Sequence, residues 1–271
     1  MPTSRIFGAA AVIALEDGEG PFFQPREDAF PQATVEHWRH ADARDPGAVR
    51  DGAWLLRFRC FAVRLDDGRM ILVDTGIGAA EAPAKSWAPV PGRLPDELAA
   101  AGIAPDEVDT VVLTHMHTDH IGWAVDSGAG TAYFRNARYL MQRTEIEAIE
   151  RLVPRLATWL LNPLRATGQL SAVDGEAKLG AGLRVVATPG HTPGHQSALL
   201  ETDDGAVLVT GDLLVHAVQL VDPRLPYAHE VDPDAARASR VALLRDLGER
   251  GRTILATPHL SEPFVPLLPA R

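Results

Sequence analysis

The chain has 271 residues, 46% hydrophobic and 23% charged, with a formal net charge of −10. That composition suits a globular protein with a sizeable core and argues against a nucleic-acid partner, because an acidic chain repels phosphate backbones. The one cysteine, Cys60, excludes an internal disulfide and a thiolate metal cluster, so a metal here must be held by nitrogen and oxygen. No apolar run approaches the length needed to cross a bilayer, so no membrane partner is expected and the expected location is cytoplasmic.

Residues 6–15 read as a first strand rather than a signal peptide, because Glu16-Asp17-Gly18 follows at once and supplies a turn instead of a cleavage region. Residues 20–50 are rich in proline, charge and isolated aromatics without a clear period. They are expected as an ordered surface excursion that covers a site mouth or serves a homodimer. His37 and His40 within it are expected as exposed polar residues. Residues 54–65 and 70–73 form strands around the hairpin signal Asp66-Asp67-Gly68, and the second ends in Asp74-Thr75-Gly76. A carboxylate at a buried strand tip is costly unless satisfied, so Asp74 either caps its own loop or orients a ligand histidine; the histidines downstream favour the second. A proline-rich loop at 83–95 carries Trp87, and 96–101 reads as a helix closed by Gly102.

The apolar strand 108–113 then runs into His115-Met116-His117-Thr118-Asp119-His120, three imidazoles and one carboxylate in six positions. In extended chain residues two apart point the same way, so His115 and His117 converge. Where the chain coils, His120 returns beside His117 while Asp119 turns elsewhere. One ion cannot easily take all four groups from so short a loop, whereas two neighbouring ions can. Residues 132–141 read as a strand pair turning at Asn136-Ala137, and Thr144 as the cap of a helix with Glu147 in capping-box spacing. Pro154 interrupts that helix and 155–166 resumes it, so 144–168 is a helical insert near the pocket. Strand 183–187 delivers Thr188-Pro189-Gly190-His191-Thr192-Pro193-Gly194-His195, a loop held tight by proline and glycine. Strands 197–201 and 206–209 follow, the second ending in Thr210-Gly211-Asp212. Asp232-Pro233-Asp234 starts a helix to about Arg250, and strand 253–256 ends in Thr257-Pro258-His259. The alternation of helices and buried strands gives an α/β layer architecture, expected as one domain over 1–271.

Four strand tips thus present His115, His117, Asp119 and His120, then His191, Asp212 and His259. In order and spacing these resemble the metallo-β-lactamase superfamily of metal-dependent hydrolases, from its His-x-His-x-Asp-His signature through Gly-His-Thr-Pro-Gly-His and Thr-Gly-Asp to the late histidine. The resemblance runs from about Leu72 to His259 and implies an αββα sandwich of two mixed sheets flanked by helices. It implies one ion on His115, His117 and His191, a second on Asp119, His120 and His259, and Asp212 bridging them. His195 is then a structural hydrogen-bonding residue. His216 and His229 match no ligand position, and His216 either faces substrate or is packed. Two Zn2+ per chain are implied, with iron or manganese also suited to the donors, together with attack by a bridging hydroxide and proton transfer through Asp119. The pattern is most similar to the N-acyl homoserine lactonase and methyl parathion hydrolase branch, although Val215 stands where those lactonases carry a tyrosine. The expected reaction is opening of a lactone or related carboxylic ester, a small-molecule substrate. The alternatives are an organophosphate triester hydrolase and a mononuclear iron enzyme resembling persulfide dioxygenases. Trp38, Trp87, Trp123 and Trp159 are candidates for an apolar pocket wall.

Overall fold

A computed structural model describes residues 2–268; Met1 and 269–271, which the expected domain includes, lie outside the described residues. Two sheets form its centre. In the first, the strand order is Thr3–Phe7, Ala10–Pro21, Ala53–Arg64, Met70–Val73, Thr110–Val112, Arg138–Gln142, Leu170–Val173, with Val49–Arg50 paired on Ala53–Arg64. In the second, it is Ala177–Lys178, Leu183–Ala187, Gln196–Thr202, Gly205–Val209, Thr253–Ala256, Phe264–Pro266. Both are mixed: antiparallel hairpins carry most of each, and parallel pairs join Met70–Val73, Thr110–Val112, Arg138–Gln142 and Leu170–Val173 in one and Gly205–Val209 with Thr253–Ala256 in the other.

The inner faces of the sheets share one apolar cluster, in which Val12, Phe61, Val73 and Leu140 pack with Val185, Leu200, Val207 and Ala256. The outer faces are covered by helices. Leu72, Val111 and Leu113 pack with Leu94 and Leu98 of helix Leu94–Ala100 and with Ile146 and Ile149 of helix Arg143–Leu152. Leu199, Leu208 and Leu255 pack with Leu244 and Leu247 of helix Pro233–Arg250. The layers are therefore αββα, as the resemblance implied. Burial on both faces is why these strands read as continuous apolar runs.

Several local readings change. Residues 6–15 are not one strand: the chain turns at Gly8 (φ 57°), where a left-handed conformation suits glycine, and Thr3–Phe7 folds back on Ala10–Pro21. Asp17-Gly18 is no turn but a bulge within Ala10–Pro21, and the freed Asp17 carboxylate accepts the backbone N–H groups of Ile77 and Leu94, both at 2.6 Å. Residues 132–141 are not a hairpin, because Thr131–Ala132 pairs with Val125–Asp126 while Arg138–Gln142 adds to the large sheet, burying Tyr139, Leu140 and Met141. Thr144 is not the cap either; the helix begins at Arg143 directly from the strand ending at Gln142, leaving no room for one. The excursion 20–50 contains helices Arg26–Ala29 and Val35–Arg44, the second capped by Thr34 with His37 closing the capping box. His40 is exposed, as expected, whereas His37 is half-buried with Nδ1 accepting the Thr34 N–H. Among the described residues no helix is long and apolar enough to cross a membrane.

Candidate metal centre

Parallel pairing fixes where the strand tips emerge. Val73 is level with Val112 in the first sheet and Val209 with Ala256 in the second, so the loops after them leave at one edge of the sandwich. All seven predicted donors meet there in two groups: His115, His117, His191 and Asp212, then Asp119, His120 and His259. In the first, His117 Nδ1 lies 3.0 Å from His115 Nε2 and 2.9 Å from His191 Nε2, and Asp212 Oδ2 lies 3.1 Å from His191 Nε2. In the second, His120 Nε2 lies 3.4 Å from Asp119 Oδ2 and 3.2 Å from Asp212 Oδ1, and His259 Nε2 lies 3.0 Å from Asp212 Oδ1. One oxygen of Asp212 thus faces each group.

His120 is not beside His117 as the local coiling suggested. His117 sits in extended backbone just before helix Thr118–Ile121, so it shares no helical face with His120, which turns to Asp119 and His259. Asp119, expected to point elsewhere, joins that second group.

The groups fit a pair of divalent cations. His117 Nδ1 faces two ring nitrogens and can share a proton with only one, and His120 Nε2 is buried with no hydrogen-bond partner. Donors about 2.0–2.1 Å from a tetrahedral ion stand roughly 3.3 Å apart, and these contacts bracket that spacing. Burial, followed by the neighbouring His120, holds His115 well below the ordinary imidazole range, and burial followed by His191 takes His117 down to about 3. Both are therefore neutral, with lone pairs to give. Burial also opposes charge on His120, but Asp119, Asp212 and Asp74 together outweigh it and push it well above its usual range. A dication between those acids supplies the positive charge that the proton supplies without one.

The ring nitrogens turned away from the centre are held by the surrounding chain. Asp74 Oδ2 takes His120 Nδ1 at 2.7 Å while Oδ1 accepts the Thr114 N–H at 2.7 Å, so Asp74 orients a histidine rather than capping its own loop. Its backbone is left-handed (φ 62°), held by an N–H bond to Val112 and by the Thr75 N–H bond to His120. His115 Nδ1 contacts Thr114 Oγ1 at 3.0 Å, and His259 Nδ1 donates to the Arg57 carbonyl at 2.8 Å. His195 Nε2 accepts the N–H of Asp212 at 2.8 Å, and its Nδ1 meets Thr188 Oγ1 at 2.8 Å; it is the structural residue the resemblance implied. His216 is packed among Phe30, Trp38 and Trp54, accepting the Val218 N–H, and does not face the centre.

A cavity of ≈ 360 Å³ opens over the donors. Phe22, Phe23, Trp54, Trp87, Leu156 and Tyr227 supply much of its wall, and among the described residues no lysine or arginine lines it. The excursion thus reaches the site mouth through Phe22 and Phe23. Of the four tryptophans proposed from sequence only Trp87 lines it. Trp38 packs on His216, Trp123 donates to Asp17, and Trp159 packs partly buried beside the first core. Trp54 was missed because a strand-opening tryptophan carries no local mark of facing a cavity.

A sandwich with five imidazoles and two carboxylates converging at one edge defines a class of proteins suited to divalent metal ions. The chain belongs to the metallo-beta-lactamase superfamily, which it matches over residues 59–259. The N-acyl homoserine lactonase AiiA of Bacillus thuringiensis subsp. kurstaki is 29% identical over 168 residues, 62% of this chain and 62% of that protein's length. Among solved structures, the hydrolase AbOPH of the beta lactamase superfamily superposes with TM-score 0.79 at 25% identity, over 97% of this chain and 91% of that one. AidC, a dizinc quorum-quenching lactonase in complex with a product, superposes with TM-score 0.79 at 20% identity, over 100% and 97%, a likeness of fold.

Proposed function

We propose that the whole chain is one metal-dependent hydrolase domain that uses two zinc ions to open a lactone or related carboxylic ester. The supporting observation is the pair of donor groups that share Asp212, with one carboxylate oxygen turned to each. His115, His117 and His191 would hold one ion, Asp119, His120 and His259 the other. Two such ions lower the pKa of water toward neutrality and polarise an ester carbonyl. Asp119 lines the cavity, and its Oδ1 would take the proton given up by the attacking water and pass it to the leaving alkoxide, while Oδ2 faces His120 and His259. His195 would keep Asp212 in place through the Asp212 N–H.

The aromatic wall selects the substrate by charge and polarity. Beyond the ions the wall offers no lysine or arginine, so the part of the substrate that lies away from the reacting carbonyl is matched best by a neutral, apolar arm. A neutral organophosphate triester meets the same requirement and is the second reading. The complete set Asp119, His120 and His259 favours two ions over the single iron of a persulfide dioxygenase-like enzyme. The test is metal analysis beside turnover of a panel of lactones, aryl esters and triesters. Two zinc ions per chain with acid release above the metal-free protein is expected; one iron per chain with oxygen uptake overturns the reading.

A further inference from the structure

Glu145 stands in the first turn of helix Arg143–Leu152, completely buried, and lies 25 or more residues from each of the seven donors along the chain. Its two oxygens accept from two different loops: Oε1 takes the Met116 N–H at 2.8 Å and Oε2 takes the Gly194 N–H at 2.7 Å. Met116 lies between His115 and His117, and Gly194 lies in the loop of His191 and His195. The second loop also sits directly on the helix, since a Cβ on Gly194 would come within 2.3 Å of the Glu145 backbone nitrogen. One carboxylate therefore ties together the backbones directly beside the three histidines of the first group; Asp119 and His120 lie further along the Met116 loop, in helix Thr118–Ile121, and neither Glu145 bond reaches the loop carrying His259.

We infer that Glu145 is a positioning residue that sets the spacing of His115, His117 and His191, and so the affinity of the first ion, with little effect on the second. The inference rests on the two-ion reading above. A carboxylate is needed because both loops offer donors: a glutamine has one acceptor oxygen, and its amide group would face an N–H. Groups of this kind, one step removed from the ion, typically change metal affinity by about 10–100-fold.

The test titrates metal-free protein with Zn2+ against a chromophoric chelator, for the wild type and E145Q, in the full chain and in the H259A and H191A backgrounds. Expected is a first-ion weakening of about 10–100-fold in E145Q, seen again with H259A and absent with H191A. Should E145Q not fold, E145D, which keeps both acceptors on a side chain one methylene shorter, carries the same comparison. Equal weakening of both ions with a lowered melting temperature of the metal-free protein marks a merely structural role and overturns the inference. Two tight ions unchanged by E145Q overturn this inference alone. A wild type that binds no ion overturns the metal reading and this inference with it.

Discussion

The strand-tip edge and the cavity wall meet over the same few ångströms but are built on opposite principles. At the edge, the donors sit on short loops after paired strands, and hydrogen bonds from Asp74, Thr114, Arg57 and His195 fix ring orientation and the Asp212 backbone. The wall instead takes Phe22 and Phe23 from the excursion, Trp87 from a proline-rich loop and Leu156 from the helical insert, held mainly by packing, with one hydrogen bond from Trp87 Nε1 to Thr118 Oγ1 at 3.0 Å. The edge tolerates little change because each donor is placed by several constraints. The wall can be re-cut one residue at a time. On the proposed function, chemistry belongs to the first region and substrate choice to the second.

That division is broken most severely by replacing the group both donor sets share. Asp212→Ala should remove several kcal/mol of transition-state stabilisation, a loss of about 10³-fold in kcat/KM, and should lower metal content; steady-state kinetics beside elemental analysis checks it. Asp74→Asn should be smaller. It keeps the size of the side chain but replaces the charge facing His120 Nδ1, and metal affinity should fall by about 10–100-fold in chelator competition. An effect confined to the wall should follow from Phe23→Ala, which removes a lining ring that makes no hydrogen bond to a donor loop: kcat/KM for esters with a long apolar arm falls about tenfold, while short-chain esters are nearly unaffected. A wall variant that strips metal, or an edge variant that merely shifts chain-length preference, would erase the distinction.

A change in stability rather than turnover concerns His216, whose buried ring is held down to about 3 by burial and then by the Arg26 charge. The unfolded chain takes up this proton near pH 6.5 and the folded one does not, so the contribution to stability is complete above that pH and is lost as pH falls toward about 3, by up to about 1.4 kcal/mol per pH unit. His216→Phe should flatten the dependence by that single proton in denaturant titrations of the metal-free protein between pH 4.5 and 7.5.

The legible parts were those whose information is local. Strands Met70–Val73, Leu183–Ala187 and Thr253–Ala256 match the apolar runs residue for residue, and Asp232 caps helix Pro233–Arg250 through the Ala235 N–H, as Asp-Pro-Asp announced. His115, His117, Asp119 and His120 were legible because a dense run of imidazoles after a buried strand is hard to explain otherwise, and His191, Asp212 and His259 because they stand at strand tips in the order of the family's motifs. Residues 132–141 were not, since the same letters suit a hairpin or a strand seeking the open edge of Thr110–Val112, and only the partner decides.

The sequence by itself marked the strand-tip histidines and aspartates and most of the strands that carry them, because side-chain chemistry and apolar periodicity are written along the chain; the αββα layering came from the family resemblance. The family resemblance had already implied the grouping around Asp212; tertiary structure alone decided that His120 turns away from His117, that Glu145 joins two loops and that Trp54 rather than Trp38 meets the cavity. Those depend on distances between segments tens of residues apart, set by sheet pairing and packing, and no local pattern encodes them.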